Sequence, residues 1–469
     1  MPSATLTLWN RDDCRRLHES TLTLLADVGV EILQDERSLN LFRELGASVQ
    51  GTRVRLGAEH VEAALASAPK EWAVKPRGGD TEPLVLRDGN VFFGTGSDCL
   101  YFSDPDTLQR RRTRIADVEG MAAASERLTH MDFVMTMGAC EDVPRQVDDL
   151  AHVVALLKGT RKPLVLVPVN GRRLALIQEM AELCGEKESL AVYAMPSPPL
   201  QHDADALSKI VACAELLIPL VYAPAPCAGT TAPRSVTATV LVANAEVLSG
   251  LVLHQHVHPG APFVYGAGGG AMDMRTMSGD PYAAPEACLA LQACCDLARY
   301  YGLPSFSYAA HTESKVLDEQ WGAEAALTAM LGALSRATLL HDVGYLEDGM
   351  QASYESIVLG DELAGYARAF MREVPLDGYA LALEEIAAAG PGGQHLGTRY
   401  TRSHYREFWT SDLFDNTGHD RWSAAGELTL GDRVRAKVQR LRGEDRAFAL
   451  TAEQVGQLDA IVAAELALG

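Results

Sequence analysis

Eight short apolar runs recur along the middle of this chain, at 91–94, 133–137, 164–169, 190–195, 220–223, 263–266, 305–309 and 338–341. Helix-compatible segments separate them. That alternation predicts an α/β chain with a parallel sheet, because parallel neighbours need a long crossover and a helix usually supplies it. Pro163, Pro219, Pro262 and Pro304 introduce four of the runs. A proline suits the first residue of a strand, where its missing N–H costs the ladder nothing. Eight such units predict a (β/α)8 TIM barrel. A doubly wound open sheet is the alternative; no phosphate-binding G-x-G-x-x-G follows the first run, which favours the barrel.

The flanks read differently. Residues 11–68 are expected to be mostly helical, with apolar stripes at Leu17, Leu22, Leu24, Leu25 and Val28 and at Val61, Ala64 and Leu65. Extended segments are expected near 72–76 and 84–86, a hairpin around Asp104-Pro105-Asp106, and a helix over 115–128. The chain divides into an N-terminal helical and extended segment (1–90) packing on the barrel, the barrel (91–371), and a C-terminal helical tail (372–469). The tail's helices fall near 379–389, 432–441 and 452–468.

Charge and cysteines narrow the function. The formal net charge is −21, which argues against nucleic-acid binding, since that needs a basic footprint, and suits a cationic ligand, a partner protein with a basic face, or solubility alone. Nine scattered cysteines, an odd number with no C-x-x-C pairing, read as reduced thiols of a cytoplasmic protein. No signal pattern opens the chain, and no apolar stretch is expected to reach the ~20 residues of a membrane span.

In barrel enzymes the chemistry sits at the carboxyl ends of the strands. Four runs end in a tyrosine: Tyr193, Tyr222, Tyr265 and Tyr308. Aromatic faces hold a quaternary ammonium by cation–π attraction, about 0.5–2 kcal/mol per ring. Equally, such rings fill barrel layers, and adjacent strands feed alternate layers, so the four cannot all share one. The strand-end loops add Asp98 after the first run and Arg275 after the sixth. His311, Glu313 and Lys315 follow the seventh, and His341 and Glu347 belong to the eighth. The pair His254 and His258 shares one helical face but precedes the sixth strand, at the wrong end for chemistry, so no metal-ligand set is expected. The glycine-rich stretch 266–270 lacks a P-loop's Lys-Ser/Thr ending.

Several motifs in fixed order carry a resemblance. Gly269-Gly270-Ala271-Met272-Asp273-Met274-Arg275-Thr276 and Ala284-Pro285-Glu286 resemble the trimethylamine methyltransferase family. So do Thr312-Glu313-Ser314-Lys315-Val316-Leu317-Asp318-Glu319-Gln320, Leu346-Glu347-Asp348-Gly349, Gly229-Thr230-Thr231-Ala232-Pro233 and Gly390-Pro391-Gly392-Gly393. The resemblance runs from about residue 15 to 415. It implies a barrel that moves a methyl group from an amine to the cobalt of a corrinoid, carried by a separate corrinoid protein or free and never permanently bound. It also implies a homo-oligomer. Founding members of that family contain pyrrolysine, whereas this sequence holds only the twenty standard residues. It therefore resembles the pyrrolysine-free branch, which includes glycine betaine methyltransferase. On this reading His311, Glu313 and Glu347 are the catalytic candidates. Asp98, Tyr193, Tyr222, Tyr265, Tyr308, Arg275, Lys315 and His341 would bind the substrate. A folate or thiol acceptor, or a non-catalytic amine-binding protein on the same barrel, are the alternatives.

Overall fold

The computed structural model describes residues 4–78, 81–277, 281–445 and 447–468. Eight parallel strands close on themselves. They are β1 (Phe92–Thr95), β2 (residues 133–134), β3 (Leu164–Leu166), β4 (Leu190–Ala194), β5 (Leu220–Tyr222), β6 (Phe263–Tyr265), β7 (Phe306–Tyr308) and β8 (Leu339–Val343). β3 to β6 form one continuous ladder, and β7, β8 and β1 another. Single bridges complete the ring, from Gly94 to Phe133, Val134 to Leu164 and Tyr265 to Ser305. The prolines at the strand entrances act as expected: the carbonyls of Pro163, Pro219, Pro262 and Pro304 accept from the N–H groups of Val134, Val192, Leu220 and Tyr265 on the preceding strands. Each proline thus contributes an acceptor to the ladder where no donor is required.

One helix follows each strand: α1 (Ile115–Arg127), α2 (Asp148–Gly159), α3 (Leu174–Leu183), α4 (Ala204–Leu216), α5 (Val236–Val257), α6 (Pro285–Tyr301), α7 (Glu319–Leu334) and α8 (Tyr354–Met371). Their starts are written in the sequence. Ser235, Asp318 and Ser353 cap α5, α7 and α8 through side-chain oxygens, and Pro285 opens α6. Inside the ring, Phe133, Met135, Val165, Ala191, Val221, Val264, Phe306 and Leu339 pack into one core. Val74 and Leu86 join it from a hairpin, Glu71–Val74 against Leu84–Arg87. That core fills the barrel interior beneath its carboxyl end.

The N-terminal segment is mostly helical over residues 11–68, as expected, but short strands interrupt it. Between its helices Arg11–Asp27, Glu36–Glu44 and Ala58–Ser67 lie three strands, Val30–Ile32, Ser48–Gln50 and Arg53–Arg55. Val30–Ile32 also pairs with Gln201–His202 of the loop after β4. Strands of three residues are too short for a period of two to show in sequence. The expectation about membrane-length stretches is corrected. α5 spans 22 residues and is long and apolar enough to cross a bilayer, yet 72% of its most apolar 18 residues is buried within the protein. It is the central core helix between the barrel and the N-terminal segment.

α5 carries a group with a measurable consequence. Glu246 is fully buried; one carboxyl oxygen accepts the Leu200 N–H and the other has no partner. Burial pushes its pKa from 4.5 up to about 8, against the smaller lowering by that hydrogen bond. The folded chain therefore keeps a proton that the unfolded chain releases once pH exceeds the usual carboxyl range, so stability should fall as pH rises toward 8. Glu246→Gln keeps the acceptor and removes the titration. Thermal melts should show variant and parent alike near pH 5, with the variant gaining on the order of 2–3 kcal/mol by pH 8. Parallel melting curves across that range would overturn this assignment.

Candidate active site at the barrel mouth

A cavity of about 290 Å³ opens at the carboxyl ends of the strands. That volume lies at the small end for ligand pockets and suits a compact substrate. Tyr193, Phe306, Tyr308, Tyr282 and Tyr345 line it, with Met195 and the backbone of 266–268 on one side. Its ionisable lining is Asp98, His311, His341, Asp342 and Asp348; among the described residues no Lys or Arg lines it.

His311 is the hub. It is 3% exposed, and its Nδ1 lies 3.1 Å from Asp342 Oδ2 while its Nε2 lies 3.0 Å from Asp348 Oδ1. Burial alone would depress the imidazole, but the hydrogen bonds and charges of these carboxylates raise its pKa to about 10. Three tyrosine rings surround it, from Tyr282, Tyr308 and Tyr345, at centroid distances of 5.4, 5.7 and 5.8 Å. Burial opposes ionisation of Asp342, yet the neighbouring His341 and His311 outweigh it and hold that carboxyl well below the usual range. His341 Nδ1 touches Asp342 Oδ1 at 2.6 Å, without the alignment of a hydrogen bond. Its ring stacks on Phe306, 4.3 Å between centroids and 21° between planes. Burial raises the Tyr193 phenol, keeping it neutral and its ring face available.

The backbone at this mouth is unusual. Asp98, Ala310, Asp342, Glu347 and Asp348 all hold positive φ, between 51° and 75°, a region that costs residues other than glycine. Three of them, Asp98, Asp342 and Asp348, line the cavity. Asp98 is an exposed residue of that lining, and desolvation raises its pKa. The Tyr345 hydroxyl fixes the loop before it, donating to the Ser97 carbonyl (2.6 Å) and accepting the Ser97 N–H (2.7 Å). Gly96 makes this possible: a Cβ there would stand 2.1 Å from the Tyr345 ring.

Of the residues expected from sequence, Asp98, Tyr193, Tyr308, His311 and His341 meet around this cavity. Glu313 stands beside it, its Oε1 3.9 Å from His311 Nε2. Burial first, then the Asp348 charge, raise its pKa to about 7. The others lie elsewhere. Tyr222 and Tyr265 point outward: Tyr222 bonds His202 and Tyr265 donates to Asn244 Oδ1 (2.9 Å). The register explains it. Tyr193 aligns with Val221 and Val264, which face inward, whereas Tyr222 aligns with Tyr265 one step further on. Arg275 is exposed and pairs with Asp273. Lys315 is exposed and donates to the Glu313 carbonyl. Glu347 sits on the rim, its carboxylate 2.7 Å from Arg110. His254 is a buried core residue against Phe263.

Sequence reading missed Asp342, Asp348, Phe306, Tyr282 and Tyr345. It also missed a grouping that spacing could not show: donor atoms of His311, Glu313 and Asp348, from two loops, all lie within 4.8 Å of one another.

The family model described as trimethylamine methyltransferase matches residues 2–467. The chain is 32% identical over 464 residues to the glycine betaine methyltransferase of Desulfitobacterium hafniense (strain Y51), covering 96% of this chain and 95% of that protein. It is 28% identical over 430 residues to the trimethylamine methyltransferase MttB of Desulfitobacterium hafniense (strain DSM 10664 / DCB-2), covering 89% and 86%. In architecture it resembles the crystal structure of the Methanosarcina barkeri monomethylamine methyltransferase, with a TM-score of 0.53 at 15% identity over 91% of this chain and 92% of that one, a likeness that speaks for the barrel alone. The chain is a methyltransferase and belongs to the trimethylamine methyltransferase family.

Proposed function

We propose that this methyltransferase takes its methyl group from a quaternary amine of the glycine betaine type. The observation that carries the proposal is the cavity lining: aromatic faces from Tyr193, Phe306 and Tyr308 beside the carboxylates of Asp98 and Asp342, with no Lys or Arg among the described lining residues. Such a box rewards a permanent cation. The similarity to a glycine betaine methyltransferase supports the same reading.

The chemistry asks little else. A quaternary ammonium leaves as a neutral tertiary amine, so no side chain needs to protonate it and none needs to form a covalent intermediate. The acceptor is a second substrate, the Co(I) centre of a corrinoid brought by a partner protein or free, and it supplies the nucleophile. This chain's task is to fix one N-methyl group toward the open mouth. Asp98 and Asp342 oppose the ammonium charge, Tyr193 and Phe306 present faces to it, and His311 holds Asp342 and Asp348 in place.

Binding tests the cation requirement. Titration calorimetry should find glycine betaine bound at least tenfold more tightly than 3,3-dimethylbutanoate, its uncharged-carbon isostere, since two rings and a carboxylate prefer the cation by about 1.4 kcal/mol or more. Equal affinity would overturn the reading.

Two further assignments follow in the same spirit. The odd number of scattered cysteines, with no C-x-x-C pair, supports a cytoplasmic setting. None of residues 372–412 is buried, although Val374, Leu376, Leu396 and Phe408 are large and apolar. A second copy of the chain is the natural cover, so light scattering should give a mass above one chain; a monomer would contradict it.

A further inference from the structure

We propose that His311, Glu313 and Asp348 form a binding site for a divalent cation of the zinc class in the cavity wall, with a coordination position left open to the carboxylate of the substrate. The metal site stands on geometry of its own; only its contact with a carboxylate rests on the function proposed above.

The arrangement is that of a three-residue metal centre. His311 Nδ1 faces Asp342 Oδ2 at 3.1 Å, which sets the ring so that Nε2 turns toward Asp348 Oδ1 (3.0 Å) and Glu313 Oε1 (3.9 Å). A carboxylate behind the far nitrogen of a ligating histidine is the usual support for such a ligand. Donors held about 2.0–2.1 Å from a tetrahedral ion stand roughly 3.3 Å apart, so the two measured spacings bracket what an ion would need. Glu313 Oε1 is buried and has no hydrogen-bond partner, a cost that a ligand to it would remove. The loops that carry the donors are braced. Thr312 Oγ1 and the Glu313 N–H both donate to Glu324 Oε2 at 2.8 Å, while the Asp348 and Glu347 N–H groups donate to the Thr312 and Ser314 carbonyls at 3.1 and 2.7 Å. Neither loop needs to move far to close on an ion.

Charge points the same way. The cavity faces Asp98, Asp342 and Asp348, with Glu313 beside them, against the imidazoles of His311 and His341. A quaternary ammonium answers part of that excess, but the carboxylate of a betaine would enter an acidic space with no Lys or Arg among the described lining residues to meet it. A divalent ion displacing the His311 proton resolves both problems. It neutralises the carboxylates and presents a Lewis acid to the substrate's own. His311 and Asp348 line the cavity, so the open side of the ion faces the substrate.

The test uses the full-length chain, stripped with a chelator and dialysed against Co²⁺ or Zn²⁺. Elemental analysis should return about one ion per chain, and Co²⁺ should give the intense visible bands of a four- or five-coordinate site. His311→Gln should abolish retention, and Glu313→Gln and Asp348→Asn should each weaken it about 10–100-fold. Asp273→Asn, an acid outside the cavity, should leave it unchanged. Circular dichroism melts identify any variant that fails to fold; retention by the folded ones decides. Adding glycine betaine should shift the Co²⁺ bands, and tetramethylammonium, which lacks a carboxylate, should not. Retention well below one ion per chain, or retention unchanged by all three ligand variants, overturns the metal site. Bands unmoved by glycine betaine, in a protein that calorimetry shows to bind it, overturn the carboxylate contact. Metal retention without any affinity for betaine would uphold the ion and count against the proposed substrate instead.

Discussion

Asp342→Asn is expected to lower kcat/KM for the quaternary amine about a hundredfold or more, roughly 3 kcal/mol of lost transition-state stabilisation. The residue is 4% exposed and lines the cavity. One of its oxygens accepts from His311 and the other touches His341. Asparagine keeps the shape but loses the charge proposed to oppose the substrate's ammonium. Its amide can also place a donor against the His311 N–H. Breaking one partner of a buried charged contact costs about 3–5 kcal/mol when the other charge is stranded, so stability should drop as well. Steady-state kinetics on the folded variant, at a temperature well below its own melting point, separates the two effects. A kcat/KM within a few-fold of the parent would mean that Asp342 only supports the barrel.

Tyr193→Leu is expected to raise KM about 10–30-fold with a smaller change in kcat, because it removes one face of the proposed cation box and the packing around it. Tyr193 packs 5.4 Å from the Phe306 ring and 6.2 Å from His341, so the loss spreads to the neighbours that present the second face. The informative comparison is Tyr222→Phe. That ring sits one register step further along the adjacent strand and faces α5. Removing its hydroxyl should cost about 1 kcal/mol of stability through the lost His202 contact and leave KM alone. If Tyr222→Phe raised KM as much as Tyr193→Leu, the inside-out assignment of these strands would fail.

That comparison also marks where the sequence stops being legible. The eight strands could be found because each is a short apolar run with punctuation around it, and four carry a proline at the entrance. Which face a strand-end tyrosine takes depends on register, and a shift of one residue turns it from the cavity to the helices. Tyr193 and Tyr222 look alike in sequence and differ by that single step. The loop after β8 shows a second limit. Glu347 and Asp348 are adjacent acids, but Glu347 pairs with Arg110 on the rim while Asp348 turns in to His311. Both sit at positive φ, a backbone state uncommon outside glycine and only weakly signalled by an aspartate. Phe306 was within reach, since it stands two residues before Tyr308 on the same strand. Tyr282 was not, because it comes from a long loop whose fold sets its direction.

The central claim is that this mouth holds a permanent cation and offers one of its methyl groups to a cobalt nucleophile. Purified protein, given Co(I) cobalamin under anaerobic conditions and a panel of methylated amines, tests it through the absorbance of methylcobalamin. Methyl transfer from glycine betaine, releasing dimethylglycine in equal amount, with trimethylamine left untouched, is the expected result. Betaine bound but never demethylated, or trimethylamine consumed in its place, would contradict it.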